Sequence, residues 1–262
     1  MRDVRGARAR VRRKLFPLLG IAALLLVWQG VCAAGLVSTY VLPSPLKVWG
    51  TAQKMIVSGE IARDVLVSLG RVLRGFGIAF ALAFLLALLR IALPSSEPFY
   101  AWMVAFLRNV PPLSMIPLLI LWCGIGETTK TVIIVLASFF PMYLAIVKGF
   151  TSYDPKLLEV ARCFAYSPVR AFLRVILPSA VPDILLGMRT SLGYSWRAII
   201  GAEMVAASTG LGHMILFAQQ MSRTDKVIVG IFVIGAAGCL TDWLFGLAIR
   251  RMVGGRAQHG WD

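Results

Sequence analysis

Residues 75–93 read GFGIAFALAFLLALLRIAL, nineteen positions with a single charge, Arg90. As a helix at 1.5 Å per residue this run is about 28 Å long, close to the ~30 Å thickness of a bilayer's hydrocarbon core. Comparable apolar runs lie at about 15–37, 99–123, 131–147, 179–206 and 227–249. The sequence therefore predicts an all-α, polytopic membrane protein with six transmembrane helices. Composition agrees: 58% of the chain is hydrophobic, there are 24 Gly, and only 15% is charged, where a soluble domain carries about 25% charged residues. A soluble fold has nowhere to bury so much apolar surface. That excludes a soluble enzyme, a disordered chain and a disulfide-stapled scaffold.

The net charge of +15 is concentrated at the ends of the apolar runs. Segment 1–14 carries +6, segment 148–178 carries +3 and the tail from 250 carries +2, together 11 of the 15 charges. Basic flanks of membrane spans stay on the cytoplasmic side. With six spans, all three stretches fall on that side, so both termini and the 151–178 loop are expected there. No stacking aromatics interleave the basic runs, so no nucleic-acid partner is expected. The discordant stretch is the first outer loop, where Lys47, Lys54, Arg63, Arg71 and Arg74 outnumber Glu60 and Asp64. Residues 61–75 read as an amphipathic helix feeding span two, with Arg71 and Arg74 snorkelling to the interface, preceded by a turn at Leu42-Pro43-Ser44-Pro45. A cleaved leader over 1–34 fits Arg12-Arg13 and Val31-Cys32-Ala33 weakly. Its apolar stretch exceeds the usual 7–15 residues, and its loss would leave an odd span count, so the first span is expected to stay uncleaved. The organisation expected is a basic cytoplasmic arm at 1–14, a first span and outer loop at 15–60, a membrane core at 61–250 and a cytoplasmic tail at 251–262.

No catalytic residues are expected. Cys32, Cys123, Cys163 and Cys239 form no C-x-x-C pair, and His213 and His259 sit in no metal-binding frame, so no metal site is expected. No G-x-S-x-G elbow accompanies His213, Ser208 or Ser222. No G-x-x-x-x-G-K-[ST] phosphate loop occurs, so if the protein's work consumes ATP, another chain binds it.

Two helix starts are written between spans four and five. Asp154-Pro155 and Ser167-Pro168 each place a capping oxygen before a Pro at the first helical position. The first helix (about 155–164) carries Leu157, Val160, Ala161 and Phe164 on one face; the second (about 168–176) carries Phe172, Val175 and Ile176, and Leu177-Pro178 is expected to end it. Their apolar faces either lie on the lipid interface and the protein's own spans or dock a soluble partner.

Glu159-Val160-Ala161, Ala165, Val175 and Leu177-Pro178 resemble the E-A-A-x3-G-x9-I-x-L-P loop (the EAA loop, or coupling helices) of permease subunits in bacterial ABC importers. Val160, Ala165 and Val175 depart from it. Ala165 stands where Gly would permit a left-handed turn, so the Tyr166-Ser167-Pro168 turn is expected to close the joint instead. Pro111 through Leu118 with Gly124-Ile125-Gly126-Glu127, and Gly201-Ala202-Glu203-Met204 with Gly210-Leu211-Gly212, resemble the nitrate, aliphatic sulfonate and taurine group of that family. The resemblance covers roughly residues 65–250. It implies a type I importer permease fold in the bacterial inner membrane and import of a small organic or inorganic anion. It also implies two permease copies forming the pore, two ATPase chains binding ATP and magnesium, and an extracytoplasmic solute-binding protein. Docking would fall on Asp154, Pro155, Leu158, Glu159, Val160, Ala161, Ala165, Ser167, Pro168, Leu177 and Pro178. The alternatives are an importer permease for another small solute and a secondary carrier, although the paired broken helices of a carrier are not visible.

Candidate pathway residues come from polar groups at membrane depth. Span five carries Arg189, Arg197 and Glu203, and charges there normally face protein or a wet path. Gly187, Ser191, Ser195 and Ala202 give the same helix a small packing face. Arg189 and Arg197 either border the solute path or pair structurally. Arg108-Asn109 precedes Pro111-Pro112 and Pro117 in span three, whose missing donors predict a kink or break. Arg108, Asn109 and Pro112 therefore join the pathway candidates, and Asp242 is expected to pair or hydrate.

Overall fold

The structure is a computed structural model that describes residues 19–253, and it contains no strand among the described residues. The predicted basic arm 1–14, the start of span one and tail residues 254–262 lie outside them. The helices are α1 (Leu19–Ala33), α2 (Pro45–Val57), α3 (Glu60–Ala92), α4 (Glu97–Leu107), α5 (Ile116–Cys123), α6 (Glu127–Thr151), α7 (Pro155–Cys163), α8 (Pro168–Ala171), α9 (Leu177–Ala206), α10 (Leu211–Gln220) and α11 (Thr224–Val253).

Four stretches are long and apolar enough to cross a membrane: Glu60–Ala92, Glu127–Thr151, Pro168–Ala206 and Thr224–Arg251. A fifth forms if α4 and α5, bent by 91° at their junction, count as one broken span. α1 is apolar but has only 15 described residues, about 22 Å of helix. The predicted amphipathic segment 61–75 and span two are one continuous helix.

The α4–α5 break follows from its prolines. Pro111 and Pro112 offer no N–H, and a short 3₁₀ turn over Pro112–Met115 replaces the α-helix. The Asn109 N–H turns to Phe106 O, and its side-chain Nδ2 takes up the Ala105 carbonyl at 2.7 Å, while Pro111 O accepts both the N–H and the Oγ of Ser114, at 3.0 and 2.7 Å. Freed carbonyls at membrane depth require such partners.

The described residues cluster into two compact units. The larger holds 63–213 and 233–253. Its core joins Met142, Tyr143, Ile146 and Phe150 of α6 to Ala180 and Ile184 of α9 and to Ala83 and Ala87 of α3. The small face of α9 makes this approach possible. A Cβ at Gly187 would overlap the Ala145 methyl, and Ser191, Ser195 and Ala202 are fully buried. The smaller unit holds 19–62 and 214–232. There Asp225 accepts from Thr51 Oγ1 at 2.7 Å and from Arg223 at 2.8 Å, while Lys226 pairs with Glu60 at 3.1 Å. α2 starts where a turn was expected, because Ser44 Oγ accepts from the Lys47 N–H behind a Pro at the first position.

Two local expectations are corrected. Leu177-Pro178 does not end the second loop helix. α8 passes through a π-helical turn over Phe172–Ile176 directly into α9, giving one run from Pro168 to Ala206. The wide turn routes the Leu177 N–H to Phe172 O, which accommodates the residue without a donor that follows. Ala165, for its part, is left-handed after all, at φ 53°. Tyr166 N–H donates to Ala161 O at 3.0 Å and Ala165 N–H to Arg162 O at 2.9 Å. That six-to-one, five-to-two pair closes a helix end and outweighs alanine's own preference.

Candidate functional site

The 151–178 loop presents two capped helices with an uncovered apolar face. Asp154 Oδ1 accepts from Lys156 N–H at 2.9 Å and Ser167 Oγ from Arg170 N–H at 3.4 Å, so both predicted caps are made. Ala161 and Ala171 are buried, but Leu157, Val160, Phe164, Val169 and Leu173 are all exposed. Of the docking candidates, Asp154, Pro155, Glu159, Val160, Ala165, Ser167, Pro168 and Pro178 are exposed, and Leu158 and Leu177 are half-buried. Arg170 and Arg174 both lie over the Tyr166 ring, at 5.7 and 5.8 Å, holding the joint between the helices.

The second feature is a charge cluster at one end of the larger unit. Arg71 is not a snorkelling side chain, as the sequence led one to expect, but is buried at 5% exposure. Its Nη1 donates to Glu203 Oε1 at 2.8 Å and Thr209 O at 2.7 Å, and its Nη2 to Glu127 Oε1 at 2.7 Å. A guanidinium with five donors and these acceptors has no reason to seek the interface. Glu203, wholly buried, also accepts from Ser68 Oγ at 2.8 Å and from Gly212 N–H at 2.9 Å. Ser68 Oγ in turn accepts the Leu211 N–H at 3.0 Å, so the first N–H groups of α10 are satisfied directly or indirectly by a carboxylate, as a helix N-terminus favours. Lys130 closes the set, 2.6 Å from Glu127. Arg74 reaches Glu127 from the exposed side at 3.5 Å, and the arrangement ties α3, α6, α9 and the Gly210-Leu211-Gly212 turn together.

Arg71, Ser68, Lys130 and Thr209 were missed in the sequence. A usable signal was present in α3. Asp64, Ser68 and Arg71 continue, at three- and four-residue spacing, the stripe of buried Gly75, Ala79, Ala83 and Ala87, and a polar run in register with a packing face is buried with it.

The third feature is a cavity of about 520 Å³ beside the α4–α5 break. The break contributes Arg108, Asn109, Pro112 and Leu113, α6 contributes Leu136, Ala137, Phe140 and Leu144, and α9 contributes Tyr194, Arg197 and Ala198. The structure thus brings four of the six pathway candidates together. Arg189 and Glu203 do not line the cavity. Arg189 forms a two-pronged pair with Asp242, 2.7 Å at each oxygen, and Trp196 one face-step along donates to Thr241 at 2.9 Å. Glu203 belongs to the charge cluster.

Bilayer-length helices, one of them broken beside a cavity, with capped helices displayed between two spans, define a membrane transport domain. The chain belongs to the family of binding-protein-dependent transport system inner membrane components, matched over residues 80–254. It is 37% identical over 242 residues to the "Putative aliphatic sulfonates transport permease protein SsuC" of Bacillus subtilis (strain 168), covering 92% of this chain and 88% of that one. It is 32% identical over 236 residues to the taurine transport system permease protein TauC of Escherichia coli (strain K12), covering 85% and 82%. Among solved structures, an amino acid ABC transporter matches with a TM-score of 0.62 at 16% identity, over 77% of this chain and 96% of that one, a likeness of fold. The protein is thus the membrane component of an ATP-driven importer. Hydrolysis lies with a separate nucleotide-binding subunit, and a solute-binding protein is the other partner that membership implies.

Proposed function

We propose that this permease carries a small organic anion of the aliphatic sulfonate or taurine type into the cytoplasm. The printed functions of its relatives support that solute class. So does the cavity, which holds two arginines and no acidic residue. In this reading six helices span the inner membrane with both termini cytoplasmic, α1 and the broken α4–α5 pair being the first and third. Two copies enclose the path. Two ATPase subunits, holding ATP and magnesium, dock on 151–178, and a solute-binding protein delivers from the opposite face. The 61–250 core does this work, flanked by the arm 1–14, the segment 15–60 and the tail 251–262.

The observation that carries the docking assignment is the exposed apolar face of Leu157, Val160, Phe164, Val169 and Leu173 on two capped helices. A groove on a soluble partner would cover such a face. Radiolabelled ethanesulfonate uptake by cells with and without the chain tests the solute class. Uptake that is equal in both would count against it.

A further inference from the structure

Two sets of arginines in the larger unit differ in their partners. Arg71, Arg90 and Arg189 each have a carboxylate within 2.8 Å. Arg108 and Arg197, which share the cavity, have none within ion-pairing distance among the described residues. Arg197 lies over the Tyr194 ring at 5.4 Å. A ring face holds the cation but does not use up its in-plane N–H donors. Both side chains are exposed, and an unpaired arginine in a membrane-spanning stretch normally faces a wet path or a partner group. The α6 wall of the same cavity, Leu136, Ala137, Phe140 and Leu144, is apolar, and the volume of about 520 Å³ falls within the range of small-molecule sites.

We infer that this cavity is a selective anion site of the permease itself, taking an oxyanion head that carries a short apolar substituent in preference to a bare inorganic anion. The inference rests on the proposed import of a small anion and adds where that anion is recognised and by what. Guanidinium forks match the oxygens of a sulfonate, and the α6 wall takes the alkyl chain. Each methylene removed from water there strengthens binding about fourfold. Nitrate leaves the wall unused. A phospholipid headgroup offers the same oxyanion chemistry, so the test separates the two sources.

The full-length chain is placed in phosphatidylcholine nanodiscs, and binding of nitrate, ethanesulfonate and butanesulfonate is measured calorimetrically. Affinity is expected to rise from nitrate to ethanesulfonate and about a further fifteenfold to butanesulfonate. Arg108→Gln and Arg197→Gln should each weaken butanesulfonate about tenfold or more, with Arg197→Lys retaining part of the loss. Leu144→Gln, at a half-exposed position that tolerates polarity, should flatten the chain-length dependence and leave nitrate unchanged. Equal binding by wild type and both glutamine variants, or nitrate binding as tightly as butanesulfonate, overturns the inference. So does abolition of butanesulfonate binding when phosphatidylglycerol is added, which assigns the site to lipid. If ATP-driven alkanesulfonate uptake is unaltered in both arginine variants, the cavity claim falls and the import reading stands. If no anion is imported while butanesulfonate binds with this pattern, the import reading falls and the site stands.

Discussion

Arg71 and Glu203, 132 residues apart in the chain, meet at 2.8 Å with Glu203 wholly enclosed. Removing one member of a buried pair leaves an uncompensated charge and costs about 3–5 kcal/mol. Arg71→Met and Glu203→Ala should each lower the thermal unfolding temperature of the detergent-solubilised chain markedly. Glu203→Gln should do so less, because an amide oxygen at the Oε2 position still accepts from Ser68 and Gly212, each at 2.9 Å. Wild-type melting of Arg71→Met would contradict the cluster's structural role.

Gly210 is held at φ +108°, and a Cβ there would sit 2.6 Å from the Glu203 carboxyl carbon. Gly210→Ala is therefore expected to collapse the same cluster, on backbone and steric grounds together. Gly70→Ala makes the control. Nothing lies within 4 Å of its added methyl, so it should melt at or above the wild-type temperature, by up to about 1 kcal/mol. Equal melting of the two variants would remove the argument for the glycine.

The features legible in the sequence were those encoded locally. The apolar runs, the Asp154-Pro155 and Ser167-Pro168 caps and the Pro111-Pro112 break each depend on a few neighbouring residues; the caps and the break are present, and of the six expected spans four are bilayer-length helices and a fifth is the broken pair. The partners of Arg71 lie 56 and 132 residues away, and no periodicity within α3 names them. For Arg189 the sequence left pathway and pairing both open, and only the juxtaposition with α11 supplies Asp242. The loop was misjudged at Ala165 and Pro178 for a related reason. Two closing hydrogen bonds and a π-turn, not intrinsic residue preference, decide the backbone there.

Because Ala165 pays for a left-handed conformation that glycine adopts freely, Ala165→Gly should preserve the loop's geometry. It is expected to stabilise the chain by up to about 1 kcal/mol and to leave ATPase co-purification at or above the wild-type level. A clear loss of stability would show that the turn is not the one described.

Glu159 is exposed on α7 with no ion pair among the described residues. Reversing its charge should therefore spare the fold and disturb only a docked partner. Glu159→Lys is expected to insert and melt like wild type but to recover several-fold less ATPase on affinity purification. Undiminished recovery would remove Glu159 from the docking surface.

In the proposed reading, ATP hydrolysed on a partner drives a small organic anion through this chain. The most direct measurement is ethanesulfonate uptake into proteoliposomes that hold the permease with its ATPase and are supplied with the solute-binding protein. Accumulation is expected when ATP and magnesium are enclosed on the loop-exposed side, and none with a non-hydrolysable analogue. Uptake that proceeds equally with the analogue would contradict it.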